Sequence, residues 1–128
     1  MTPKILSIDD SKTIRLLLAR LFRPFACEWL EAANGEEGLA IATRENPDLI
    51  ILDYNMPVLD GIAMLRKLRE HATLRRTPVI MLTADSGLQS LATAARLGVR
   101  DYVAKPFREE ELLAKAGRII PLIPRTEP

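Results

Sequence analysis

At 128 residues, 48% of them hydrophobic, the chain has the commonest length of a single domain and enough apolar material for one buried core. Its 18 basic and 17 acidic residues leave a formal charge of +1, which excludes the strong long-range field of a nucleic-acid or membrane-surface binder and leaves partner choice to local surface. The start MTPKILSIDD has too short an apolar run for a signal peptide and nothing approaches the roughly 20 apolar residues of a membrane span, so the expectation is a cytoplasmic, unanchored protein.

In chain order, Ile5 to Ile8 is an unalternating apolar run, as expected of a strand covered on both faces, and it leads into Asp9 and Asp10. Ser11 then caps a helix whose face is formed by Ile14, Leu17, Leu18, Leu21 and Phe22. A weaker strand is expected from Cys27 to Ala32. Cys27 is the only cysteine, cannot form an internal disulfide, fits a reducing compartment, and reads as a buried small hydrophobe. Trp29 reads as packing. Asn34 opens a second helix with Leu39, Ile41 and Ala42 on it. Leu49 to Leu52 is the third strand, running into Asp53, and Met56 beyond it reads as packing. Asp60 opens a helix bearing Leu65 and Leu68, whose polar end carries His71 as a surface residue. Val79 to Leu82 is the fourth strand, closed by Thr83, and the helix after it carries Leu88, Leu91, Ala92 and Ala95 and stops at Gly98. A weak fifth strand from Arg100 to Ala104 is closed by Lys105. The last helix is expected from about Arg108 to Ile120, where Pro121 ends it. The domain therefore spans residues 1–120, and the tail from Pro121 to Pro128, with three prolines in eight residues, is a frayed end or the start of a linker.

Five alternations of strand and helix predict an open, doubly wound α/β sheet with helices on both faces. In such sheets ligands bind outside the carboxyl ends of the strands, where strand order reverses, and strands one and three flank that point in the order 2-1-3-4-5. Asp9, Asp10 and Asp53 follow strands at that end. Like charges that close repel, so the set makes physical sense with a cation between them, and hard carboxylate oxygens favour Mg²⁺. Thr83 adds a hydroxyl and Lys105 an ammonium, a workable set for phosphoryl transfer with an Asp nucleophile. Any one Asp after a strand is ordinarily a turn or cap, and for Asp10 a helix-cap role stands beside the metal role. The chain has no Ser-His-Asp set, no Walker loop and no G-x-G-x-x-G.

The segments SIDDS, LDYNMPVLDG, MLTA and RDYVAKPF closely resemble the receiver domain of two-component response regulators, over about residues 4–120. Asp53 to Thr83 is 30 residues and Thr83 to Lys105 is 22 more, separations compatible with that family. The strand order above is one seen in a chemotaxis protein of the family, so the expected flavodoxin-like (βα)5 fold rests partly on the resemblance. The resemblance implies that Asp53 accepts a phosphoryl group from a histidine kinase or histidine phosphotransfer protein. It implies further that Asp9, Asp10, Asp53 and the Asn55 main-chain carbonyl arrange Mg²⁺, that Lys105 contacts the phosphate, and that its bond to Pro106 is cis. Thr83 would turn toward the phosphoryl oxygen and Tyr102 inward, a coupled switch that alters the surface of helix four, strand five and helix five. Leu91 and Tyr102 are the expected partner contacts, with core packing the alternative for Leu91. Asn55 and Asp85 are expected to tune the phosphate's lifetime. Val99, where the family often has Ala, and Trp29 depart from the pattern without touching this chemistry.

The expected partners are the phosphodonor and a downstream protein or effector domain, with no direct nucleic-acid or membrane contact and with a phosphorylation-dependent dimer left open. The protein turns over no external substrate in this reading. Two others are weighed against it: a receiver-like binding module that is not phosphorylated, and a phosphohydrolase working through an aspartyl phosphate. Intact Asp10, Asp53, Thr83 and Lys105 argue against the first. The D-x-D motif of such hydrolases, on the first strand, argues against the second, since here that strand bears adjacent Asp9 and Asp10.

Overall fold

The unalternating apolar runs form the middle of a parallel sheet. The computed structural model describes residues 2–56, 59–84 and 88–126, with backbone alone for 88–90. Strands β1 (Lys4–Ile8), β2 (Glu28–Ala32), β3 (Leu49–Asp53), β4 (Val79–Thr83) and β5 (Asp101–Ala104) alternate with helices α1 (Lys12–Phe22), α2 (Gly35–Glu45), α3 (Gly61–Glu70), α4 (Leu88–Arg96) and α5 (Glu109–Gly117). Every pairing is parallel and the order is β2-β1-β3-β4-β5, as the alternation and the resemblance lead one to expect. β3 and β4 are buried at every position because helices cover both faces.

Two apolar layers result. On one face Leu6, Ile8, Ile50, Leu52, Val79 and Met81 meet Ala42 of α2, Met64, Leu65 and Leu68 of α3, and Ala94 of α4. On the other, Ile5, Leu49, Ile51, Ile80, Leu82 and Val103 meet Leu18 and Phe22 of α1 and Leu112 and Ala116 of α5. Three helices start at the expected caps: Ser11 Oγ accepts from the Ile14 N–H at 3.2 Å, Asn34 Oδ1 from Glu37 at 2.9 Å and Asp60 Oδ1 from Ala63 at 2.8 Å. α2 lies close on β1 at Gly38, where a Cβ would fall 2.5 Å from Ile8 Cδ1.

The α1 stripe is narrower than its periodicity implies. Leu18 and Phe22 are fully buried, whereas Leu17 is 42% exposed, because a five-residue arc is wider than the line of contact with the sheet. Leu17 instead borders a surface groove with Ile14, Lys105, Pro106, Phe107 and Glu109. β2 and β5 each start one residue later than the apolar runs. Cys27 is buried just ahead of β2 and Met56 packs in the core. Trp29 stacks on Phe22 at 5.4 Å and donates through Nε1 to Glu31.

α5 ends at Gly117 rather than Ile120: Ile119 and Ile120 both donate to the Ala116 carbonyl in a closing turn that buries Ile120. The following residues fold back. Phe25 and Pro124 form an antiparallel bridge, Ala26 N–H donates to Ile123 O at 2.7 Å, and the Arg125 guanidinium donates to the carbonyls of Arg23 and Cys27. Segment 121–126 is thereby fastened to the α1–β2 turn. Among the described residues, no helix is long and apolar enough to cross a membrane.

Candidate functional site

Strand alternation sorts the candidate residues between the two faces. Asp9, Asp53 and Lys105 stand an even number of residues from Ile5, Ile51 and Val103, so they emerge on the α1–α5 side. Thr83 follows Val79 and Met81 onto the other side, and Tyr102, one residue from Val103, shares it. The reversal of strand order between β1 and β3 opens the cleft where the first group meets.

Each site residue is held by the backbone at its strand end. Asp9 N–H donates to Ala32 O at 3.1 Å and Lys105 N–H to Thr83 O at 2.8 Å, extending the ladders beyond the strands. Tyr54 N–H donates to Leu82 O at 2.8 Å, which fixes the chain just after Asp53. Gly61 N–H closes the β3–α3 loop onto Tyr54 O at 3.0 Å, where a Cβ would lie 2.8 Å from Asp53 O and from Tyr54 Cα. Only a residue without a side chain admits α3 so close.

The side chains converge. Lys105 Nζ lies 3.0 Å from Asp53 Oδ1 and 3.4 Å from Asp9 Oδ2. Carboxylate oxygens of Asp9, Asp10 and Asp53 all fall within 4.8 Å of one another. Asp9 and Asp53 are 1% and 2% exposed, while Asp10 faces solvent at the start of α1. Ser11 N–H donates to Asp9 Oδ1 at 2.9 Å and Asn55 N–H to Asp53 Oδ1 at 3.2 Å.

Burial, together with the neighbouring Asp9 charge, raises the Asp53 carboxyl from 3.8 to about 6 despite the opposing hydrogen bond and charge of Lys105. Burial alone would lower the Lys105 ammonium, but its hydrogen bonds and charge contacts with Asp53 and Asp9 outweigh that and hold it above the ordinary lysine value. Three carboxyl groups against one ammonium suit a hard divalent cation. The donors are all oxygen, one carboxylate is open to solvent, and so Asp9, Asp10 and Asp53 fit Mg²⁺ that keeps several waters.

Thr83 ends β4 in register with Ala104, 5% exposed. Tyr102 pairs with Met81, two residues before Thr83, which makes Tyr102 and Thr83 diagonal neighbours on one sheet face. Tyr102 is 43% exposed. Leu91 is half-buried on α4. The Lys105–Pro106 bond is cis. Asp85 lies outside the described residues. His71 is half-buried at the end of α3, where its Nδ1 accepts from Thr73 N–H at 3.3 Å. Sequence reasoning missed Arg15, whose guanidinium donates to the Asp9 carbonyl at 2.6 Å and pairs with Glu31 at 3.3 Å. Its place on α1, facing a β2 glutamate, was the available signal.

Residues 5–117 match the model of the response regulator receiver domain family. The chain is 40% identical over 117 residues to a protein described as probable transcriptional regulator ycf27 of Porphyridium aerugineum, covering 91% of this chain and 48% of that one. It is 36% identical over 118 residues to protein PilG of Pseudomonas aeruginosa, covering 92% and 87%. The crystal structure of chemotaxis protein CheY4 of Vibrio cholerae superposes with a TM-score of 0.88 at 32% identity, covering 94% of this chain and all of that one. The chain spans about half the length of the ycf27 relatives.

Proposed function

Because the chain belongs to the response regulator receiver domain family, we propose that it is a phosphoacceptor switch of a two-component phosphorelay, with Asp53 as the acceptor. The observation that carries this reading is Lys105 Nζ, held between the buried carboxylates of Asp53 and Asp9. An Asp53 Oδ attacks the phosphorus of a phosphohistidine, the P–N bond breaks with its electron pair left on the imidazole, and that nitrogen takes a proton. The product is an acyl phosphate on Asp53. Asp9, Asp10, Asp53 and the Asn55 main-chain carbonyl would hold Mg²⁺, which when bound would neutralise charge on the phosphoryl oxygens. Lys105 contributes a second positive charge from the β5 side. Water later attacks the phosphorus, the P–O bond to Asp53 breaks and inorganic phosphate leaves, which returns Asp53 to its free carboxylate; Asn55 and Asp85 set the pace of that step.

Thr83 reads the phosphoryl group with its hydroxyl, and Tyr102 moves inward behind it. Their diagonal adjacency on the α3–α4 face of the sheet supports the coupling. The α4-β5-α5 surface, with Leu91 and Tyr102 as contacts, then meets a downstream protein or an effector domain, and a phosphorylation-dependent dimer is left open. The receiver unit takes in residues 1–120, and residues 121–128 are its C-terminal tail or the start of a linker, tied back to the α1–β2 turn as far as residue 126. The protein works in the cytoplasm, where its histidine-phosphorylated donor is found.

Incubation with Mg²⁺ and acetyl phosphate separates the candidate functions. One labile phosphate per chain, absent in Asp53→Asn, is the expected result. No label in the wild type would favour a binding module, and multiple turnover of generic phosphomonoesters would favour a hydrolase.

A further inference from the structure

On α5, the Lys115 side chain is 19% exposed and its ammonium reaches four groups around one residue. It donates to Tyr102 O at 2.9 Å, lies 3.3 Å from Asp101 Oδ1 and 3.1 Å from Glu111 Oε2, and sits 6.0 Å from the centroid of the Tyr102 ring. The same Asp101 Oδ1 accepts from the Tyr102 N–H at 2.9 Å. Both peptide groups of Tyr102 are therefore tied into one network, its N–H through Asp101 and its carbonyl through Lys115, while the cation also lies within reach of the ring's electron-rich face. Two carboxylates against one ammonium keep that cation in place. None of this network belongs to the Asp53 cluster, which lies at the carboxyl end of the sheet.

We infer that Lys115 is a positioning residue that holds the Tyr102 ring in its solvent-facing place and so sets the balance against which the ring moves inward. This rests on the proposed role of Tyr102 as the mobile half of the switch. Of these contacts the one to the ring alone depends on where the ring lies and favours its outward place, so removing the cation shifts the balance inward without touching Asp53. An arginine retains the cation over the ring and the pairing with Asp101 and Glu111. A glutamine retains neither.

The chain has two tyrosines, so incorporated 3-fluorotyrosine gives two resonances, with Tyr102 assigned by its loss in Tyr102→Phe. Broadening of the Tyr102 signal by a neutral soluble gadolinium chelate, in Mg²⁺ without phosphodonor, reports its exposure. In Lys115→Gln that broadening falls by roughly half, as for an inward state that rises to about equal population, while Lys115→Arg keeps the wild-type value. Wild-type circular dichroism and unfolding in both variants place the effect on the ring. Equal broadening in Lys115→Gln and wild type overturns the inference, and so does an equal loss in both variants. If acetyl phosphate labels Asp53 but leaves the wild-type Tyr102 signal unmoved, the switch reading itself fails, a result distinct from either.

Discussion

Lys105 Nζ rests 3.0 Å from Asp53 Oδ1, joining the loop after β5 to the end of β3 across the width of β4. The contact places a positive charge where a phosphoryl group on Asp53 would carry negative charge. Replacing the lysine with methionine keeps the stem and removes the charge. The rate of Asp53 labelling by acetyl phosphate is then expected to fall about 10- to 100-fold, the equivalent of one charge-assisted hydrogen bond of about 1.5 to 3 kcal/mol. A wild-type rate in Lys105→Met would remove Lys105 from the chemistry.

An Asp53 that ligates Mg²⁺ would link the ion to pH. Its folded-state value of about 6 lies above the ordinary 3.8, so between those values the folded protein keeps a proton that the unfolded chain has released. The group's contribution to stability is fully present below the lower value and is lost as pH rises through the upper one. Above that window the metal-free protein carries an unfavourable buried charge, and a cation relieves it. Thermal unfolding in Mg²⁺ against chelator should show a larger increment at pH 8 than at pH 5. Equal increments would mean that Asp53 is not part of the cation site.

Gly61 brings α3 within reach of the Asp53 backbone. In Gly61→Ala the new methyl meets Asp53 O and Tyr54 Cα at 2.8 Å, and because both are main-chain atoms the β3–α3 loop must shift. The expected loss of stability is about 1 to 3 kcal/mol, as for overpacking elsewhere. Mg²⁺ affinity, read by calorimetry, should fall roughly 10-fold because the backbone behind a proposed ligand has moved. Unchanged affinity with reduced stability would confine the effect of Gly61 to packing.

Arg69 is expected to matter for stability alone. Its guanidinium donates to Leu97 O at 2.7 Å, Gly98 O at 3.1 Å, Thr77 O at 2.9 Å, Arg75 O at 3.2 Å and Leu74 O at 3.4 Å, which ties α3 to the turns before β4 and β5. Burial lowers its affinity for the proton, but an arginine remains charged. Arg69→Met leaves those carbonyls to find water or go unpaired, at a cost of about 2 to 4 kcal/mol by urea denaturation. Labelling of Asp53 should be unaffected in the folded variant.

The strands that carry Asp9, Asp53 and Thr83 were legible because burial on both faces writes an unbroken apolar run into the sequence. The caps Ser11, Asn34 and Asp60 were legible because a side-chain oxygen at that position has one local use. The ends of α5 and the tail were not. Ile120, Leu122 and Ile123 carry no period, and what fastens segment 121–126 is a set of main-chain bonds to the α1–β2 turn. Arg15, Arg69 and Lys115 escaped for a related reason: each donates to carbonyl groups, which every residue has and no sequence pattern announces.

The central claim is that Asp53 carries the phosphoryl group as an acyl phosphate. Protein treated with Mg²⁺ and acetyl phosphate, then with borohydride, converts a phosphorylated aspartate to homoserine, which peptide mass spectrometry locates in the chain. Homoserine at position 53 alone, and none in Asp53→Asn, is the predicted result. Homoserine at another aspartate, or none in protein that has taken up phosphate, would contradict it.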